Sequence, residues 1–161
     1  MYNVDDVARY IINYCNDNNY YLNHFKLAQI LYFCQARYLV NNKQLFKEDI
    51  IAVDWGVYIE SIYKEYKGYG LDMLPRIEKW LDTSKGIWNF KEKTFSYDII
   101  NDEDKQIINN IIKETNKYTY CELVKIIHKQ TPWTKAWDKS CFGRLKTAIT
   151  KESIKEFFME D

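Results

Sequence analysis

Histidine, proline and glycine are all scarce in this chain of 161 residues, at two, two and five copies. His24 and His128 stand far apart, and neither belongs to an H-x-x-x-H or H-E-x-x-H pattern, so a zinc-hydrolase signature is missing. The four cysteines, at 15, 34, 121 and 141, form no C-x-x-C pair. Such wide spacing reads as reduced, buried thiols in preference to a disulfide framework, with a zinc set of Cys15, His24 and Cys34 as the weaker alternative. Net charge is also lacking, because 23 basic residues balance 23 acidic ones. Without a long-range field, a general role on nucleic acid or on anionic lipid is disfavoured. No apolar run approaches the roughly 20 residues of a membrane span, and the opening Met1–Asp6 is acidic, unlike a signal peptide. A cytoplasmic protein is expected. No linker, repeat or low-complexity tract divides the chain, so one domain over residues 1–161 is expected.

What remains is ample material for a core, since 47% of the residues are apolar and a domain of this length buries roughly two-thirds of its unfolded surface. Val4, Val7, Ala8, Ile11, Ile12 and Cys15 follow the helical period behind an Asn3 cap, predicting a helix to about Asn16. A longer helix is predicted from Asn23 to Asn41–Asn42, apolar around most of its circumference and therefore central. Ile50–Trp55 reads as an extended segment turning at Gly56. Tyr58–Lys67 reads as a helix stopped by Gly68, and a short helical piece is expected from Leu74 to Leu81. Trp88/Phe90 and Phe95/Tyr97 alternate across Lys91–Thr94, which predicts a small β-hairpin turning there. Helices return with an Asn101 cap before Asp102–Asp104, a Thr119/Glu122 capping box, Pro132 at the start of a short helix, and a last helix from Thr150. The fold class is mainly α, with a short extended segment and a small hairpin in the middle.

Catalytic signals are thin. Neither G-x-x-x-x-G-K-[ST] nor G-x-G-x-x-G occurs, and Gly68–Tyr69–Gly70 follows a predicted helix instead of opening one. His128 is the one candidate acid–base residue. Cys121 lies seven positions earlier on the same predicted helix, about 10 Å away by helix rise, too far for proton transfer. A helix C-terminal histidine is otherwise explained by the dipole and the last carbonyls. No catalytic, cofactor or metal residue is assigned; a small enzyme using His128 with Asp54 or Glu60 stays as an alternative. Aromatics say more: 17% of residues, including 14 tyrosines. Tyr58, Tyr66, Tyr69, Trp133 and Trp137 fall near turns and helix ends, each reading either as core or as an interface ring. Lys125, Lys129, Lys135, Lys139, Arg144 and Lys146 read as a solvated face or a small basic patch.

Three ordered segments carry a family resemblance. The central helix has Lys26-Leu27, Leu31-Tyr32, Gln35 and Tyr38-Leu39. Next come Ala52-Val53-Asp54-Trp55-Gly56, Ser61-Ile62-Tyr63 and Lys67-Gly68-Tyr69-Gly70; last comes His128 through Pro132-Trp133 to Ala136. Together they resemble the Panacea domain of SocA-like antitoxins and phage-associated proteins. The chain departs from that pattern by lacking proline after Gly56, where Val57-Tyr58-Ile59-Glu60 stands, and by Ala28 where glutamine is usual.

The resemblance implies a protein-binding protein that neutralises a toxin by direct masking or by delivery to an AAA+ protease. A phage-borne protein that inhibits or redirects a host defence component is the alternative within the family, and repression of its own promoter through DNA a weaker one. The partner-binding candidates are Asp54, Trp55, Tyr58, Glu60, Tyr63, Tyr66 and Tyr69 on one segment, and His128, Trp133 and Trp137 on the other. The shared Lys26, Gln35, His128 and Trp133 read alternatively as a buried polar network. Whether the tail 157–161 packs on the body is left open.

Overall fold

Helix α1 (Val4–Asp17) begins where its sequence predicts, with the Asn3 side chain accepting from the Asp5 N–H at 2.8 Å and Asp5 and Asp6 at the positive end of the dipole. The computed structural model describes residues 1–83, 85–86, 88–141 and 143–160. It is mainly α-helical, with two antiparallel two-stranded ribbons. Helix α2 (His24–Val40) is capped by Asn23, which accepts from the Lys26 N–H at 2.9 Å. Its residues are buried on nearly every side, and α1 packs along it.

After α2, strand β1 (Ile51–Val53) turns through Asp54–Trp55 into β2 (Gly56–Tyr58), with Ile51 opposite Tyr58 and Val53 opposite Gly56. Tyr58 therefore belongs to a strand, and helix α3 spans Glu60–Tyr66, shorter than the predicted Tyr58–Lys67. Gly56, at φ +104°, permits the turn that a side chain would strain, and this folds the chain back as the second strand of the ribbon. Gly68 does not end α3; it lies inside a 3-10 turn, Lys67–Tyr69, and the positive φ falls on Gly70.

The helix expected over Leu74–Leu81 is absent. Two asparagines of α1 hold this stretch as an extended strap. Asn13 exchanges two hydrogen bonds with the Ile77 backbone, at 2.7 and 2.8 Å, and Asn16 donates to the Leu74 carbonyl at 3.1 Å. Backbone groups engaged from outside cannot form the helical ladder. Strand β3 (Lys79–Asp82) follows and pairs with β4 (Lys91–Thr94). The predicted turn residues Lys91–Thr94 thus form a strand, and the chain reverses between Asp82 and Lys91, where Gly86 has φ +94°.

The last helices are α4 (Asp102–Asn116), α5 (Tyr120–His128), α6 (Thr131–Lys139) and α7 (Lys151–Glu160). Asn101 caps α4, Thr119 and Glu122 form the predicted capping box of α5, and Pro132 sits in the first turn of α6. Asp104 accepts from Tyr2 (2.5 Å), Tyr38 and Asn101 (2.8 Å), tying α4 to the N-terminus and α2. Partial burial pushes its carboxyl up, but these donors outweigh that and hold it below the usual range. The tail packs on the body through Phe158, whose ring lies 6.0 Å from Tyr32 and 6.3 Å from Phe33; Asp161 lies outside the described residues. One apolar core runs from Val4 to Ile154. Cys15 and Cys34 are in it, whereas Cys121 and Cys141, expected to be buried, are exposed. Burial raises the Cys15 thiol to about 12, so it stays protonated and inert at neutral pH.

Gln35 is fully buried and accepts from the Leu45 and Phe46 N–H groups at 2.9 and 3.3 Å while donating to the Phe46 carbonyl at 3.0 Å. Gln35→Ala leaves those backbone groups without partners and is expected to destabilise the fold by about 2–4 kcal/mol in urea unfolding.

Candidate protein-binding face

The Asp54–Trp55 turn is held from beneath by two side chains. Gln29 of α2 reaches the Trp55 carbonyl at 3.5 Å, and the Trp133 indole N–H of α6 donates to the Gly56 carbonyl at 2.6 Å. Gly56 is favoured here by its φ, and a Cβ there would also stand a tight 3.2 Å from the Gln29 amide. On the outer edge of β1 the chain segment around Thr147–Ile149 adds two more backbone hydrogen bonds, Ala52 N–H to Thr147 and Ile149 N–H to Ile50. The turn so fixed presents Asp54 and Trp55 to solvent, with Trp55 38% exposed.

Aromatic rings extend from Trp55 in two directions. Toward α2, its ring meets the Phe25 ring edge-on at 6.5 Å, and Phe25 stacks on Tyr120 at 5.6 Å. Phe25 also lies 3.9 Å from His24, which leads through Tyr63 (5.9 Å) to Tyr58 (5.2 Å). Toward α6, Val53, Asp54, Trp55, Trp137 and Gly143 line a shallow pocket of about 200 Å³. Trp137 stacks on Trp133 at 5.1 Å, and Trp133 on His128 at 3.9 Å. Gly143 closes this stack, since a Cβ on it would come within 3.0 Å of the Trp137 ring.

Charges frame the rings. Lys146 lies 5.3 Å over Tyr58, and Glu60 pairs with Lys64 at 2.7 Å and more loosely with Lys146 at 4.0 Å. The Lys64 hydrogen bond, then the Lys146 and Lys64 charges, hold the Glu60 carboxyl below its ordinary value. Lys67 stands 5.6 Å over Tyr63.

Of the ten candidate residues, contacts join Asp54, Trp55, Tyr58, Glu60, Tyr63, His128, Trp133 and Trp137 around the turn. Tyr66 and Tyr69 lie off this cluster: Tyr66 is buried beside Glu65 and Arg9, and Tyr69 is exposed on the 3-10 turn. Trp133 and Tyr58 are both buried, which makes them supports for their neighbours. The sequence pattern did not bring out Phe25, Tyr120, Gln29, Gly143 or Lys146 as parts of this face. Gln29 and Gly143 carry a legible signal only once the turn and the Trp137 ring are in place.

Lys26, Gln35, His128 and Trp133 do not form one polar network. Lys26 donates to the Tyr118 carbonyl at 2.8 Å and Gln35 to the segment at Phe46, while Trp133 donates to Gly56 with His128 stacked against its ring, so three separate places are tied. Tyr32 adds another such tie, its hydroxyl donating to Gln130 at 2.6 Å. Among the described residues, no group of three or more His, Cys, Asp and Glu side chains is arranged to hold a metal ion, and no helix is long and apolar enough to cross a membrane. The arrangement leaves ring area and mixed charge together at the surface.

Residues 27–134, about two-thirds of the chain, match the family described as antitoxin SocA-like, Panacea domain. The chain belongs to that family. No curated protein and no solved structure shows significant similarity to it.

The His128 imidazole is pressed between Trp133 and the β1–β2 turn, with Nε2 buried and without a hydrogen-bond partner. Burial lowers its pKa, against the opposing pull of the Val53 backbone and of the Asp54 carboxylate and backbone. Burial likewise lowers His24. For a base depressed by folding, the unfolded chain binds the proton more readily. The stabilisation is therefore full above the unfolded value of about 6.5 and is lost as pH falls through the folded value. An NMR titration is expected to place both imidazoles below 6.5, and stability to fall between pH 7 and 5, with a shallower fall in His128→Gln.

Proposed function

We propose that the protein is a cytoplasmic antitoxin, acting as one domain over residues 1–161, that neutralises a protein toxin by covering it with the face centred on the Asp54–Trp55 turn. The observation that carries this reading is Trp55. It is a large ring left substantially exposed on a turn that Gln29 and Trp133 immobilise, within a chain of an antitoxin family. Rigid presentation matters because ordering a loop at the moment of binding would subtract from affinity. Tyr63 and Trp137 extend the apolar contact, while Asp54 and Glu60 with its lysines supply polar registration at the rim. A stable complex of this type buries about 1,600 Å². The toxin is then inactive because its working surface is occluded, and no bond is made or broken.

Co-expression with the product of the adjacent reading frame, followed by native purification and a growth assay, tests this. A co-purifying toxin and restored growth are expected, and Trp55→Ala is expected to weaken the complex about tenfold or more while leaving the circular dichroism spectrum intact. Unchanged affinity in Trp55→Ala would move the interface elsewhere. Growth restored only when an AAA+ protease is present, with loss of the toxin itself, would replace masking by delivery.

A further inference from the structure

Helix α2 is covered on all sides but one. Arg37 is its single exposed residue, and Phe33, Arg37 and Val40 mark a stripe at i, i+4 and i+7 along that opening. Facing the stripe, Ile111 of α4, Ile126 of α5 and Phe158 of α7 complete an apolar groove of about 380 Å³. These five apolar side chains are all half-buried, so each shows one flank to the neighbouring helices and the other to the groove. At the rim, the Glu114 carboxylate is engaged by Lys117 at 3.7 Å, whereas the Arg37 guanidinium has no ion-pair or hydrogen-bond partner among the described residues. The groove thus combines apolar walls with a rim that carries an unpaired guanidinium and, apart from it, a carboxylate shared with Lys117.

We propose that this groove takes a short amphipathic segment of a protein partner, apolar along the face it inserts and carrying a carboxylate for Arg37. The walls are helical stripes of the kind that elsewhere in this protein meet another helix, which favours a helical segment with anchors at i, i+3, i+4 and i+7. The unpaired guanidinium favours an acid over a base in the part of the segment that lies beside it, while Glu114 at the same rim is shared with Lys117. None of the ten candidate residues lines the groove, so this is a second contact surface, and its failure and that of the antitoxin reading are read separately.

Two fluorescein-labelled amphipathic peptides test it on the full chain by anisotropy. Both carry leucines at i, i+3, i+4 and i+7, one with a single glutamate and the other with lysine in its place. The glutamate peptide is expected to bind more tightly. Ile126→Glu, which puts a charge into the wall, is expected to weaken both peptides about tenfold. Arg37→Glu, a surface change that keeps the test valid should Ile126→Glu unfold, is expected to reverse the preference by about fivefold. Neither peptide saturating at millimolar concentration would overturn the proposal, as would an equal effect of Arg37→Glu on both. Dimerisation abolished by Ile126→Glu, or saturation by decanoate but not by peptide, would assign the groove to a second copy or to a fatty acid and overturn it equally.

Discussion

Burial of α2 around almost its whole circumference imposes the condition that orders the rest of the protein. A buried helix satisfies its own backbone, but each polar side chain it carries must find a partner inside or cost several kcal/mol. Lys26, Tyr32, Gln35 and Tyr38 meet that requirement by reaching off the helix, to the Tyr118 carbonyl, Gln130, the Leu45–Phe46 backbone and Asp104. Gln29 meets it in part, its amide N–H reaching the Trp55 carbonyl while its Oε1 stays without a partner among the described residues. Every tie lands on a different segment. The polar residues of the core helix therefore act as a set of dowels that fix where the surrounding elements sit.

Two consequences reach the surface. The hairpin turn at Asp54–Trp55 contains no long element of its own, yet it is immobilised because Gln29 and Trp133 claim two successive carbonyls. The Trp133 ring that makes the second bond is itself clamped between His128 and Trp137. A strand pair only three residues long is marginal alone, and here it is stabilised by neighbours that also shape the aromatic face. Rigidity and ring exposure at the turn thus share one cause.

The family match begins inside α2 and ends inside α6, but the core does not stop at those limits. Helix α1 lies against α2, and its asparagines hold the strap before β3. Helix α7 packs along α2 and lends Phe158 to the groove wall. The flanking segments are accordingly parts of one apolar core with the matched region, contributing Val4 to Cys15 on one side and Ile154 on the other.

Caps, periodicity and the family motifs were legible because they depend on residues close in sequence. Asn3, Asn23, Asn101 and the Thr119/Glu122 box mark real helix starts, and the continuous apolar character of 24–40 marks the central helix. The strap at 74–77 and strands β2, β3 and β4 were not legible, since their conformation is set by distant groups: Asn13 and Asn16 on α1 for the strap, cross-strand pairing for the ribbons. The same division holds at the candidate face. The motif residues Trp55, His128 and Trp133 stand out in the chain, but that Trp55 stays open while Trp133 closes over Gly56 is a property of packing. By itself the sequence determined the helical class, the capped helix starts and the family, because short-range hydrogen bonds and apolar period encode them. Only the tertiary structure decided which rings face solvent, because burial is a relation between segments that no local pattern contains.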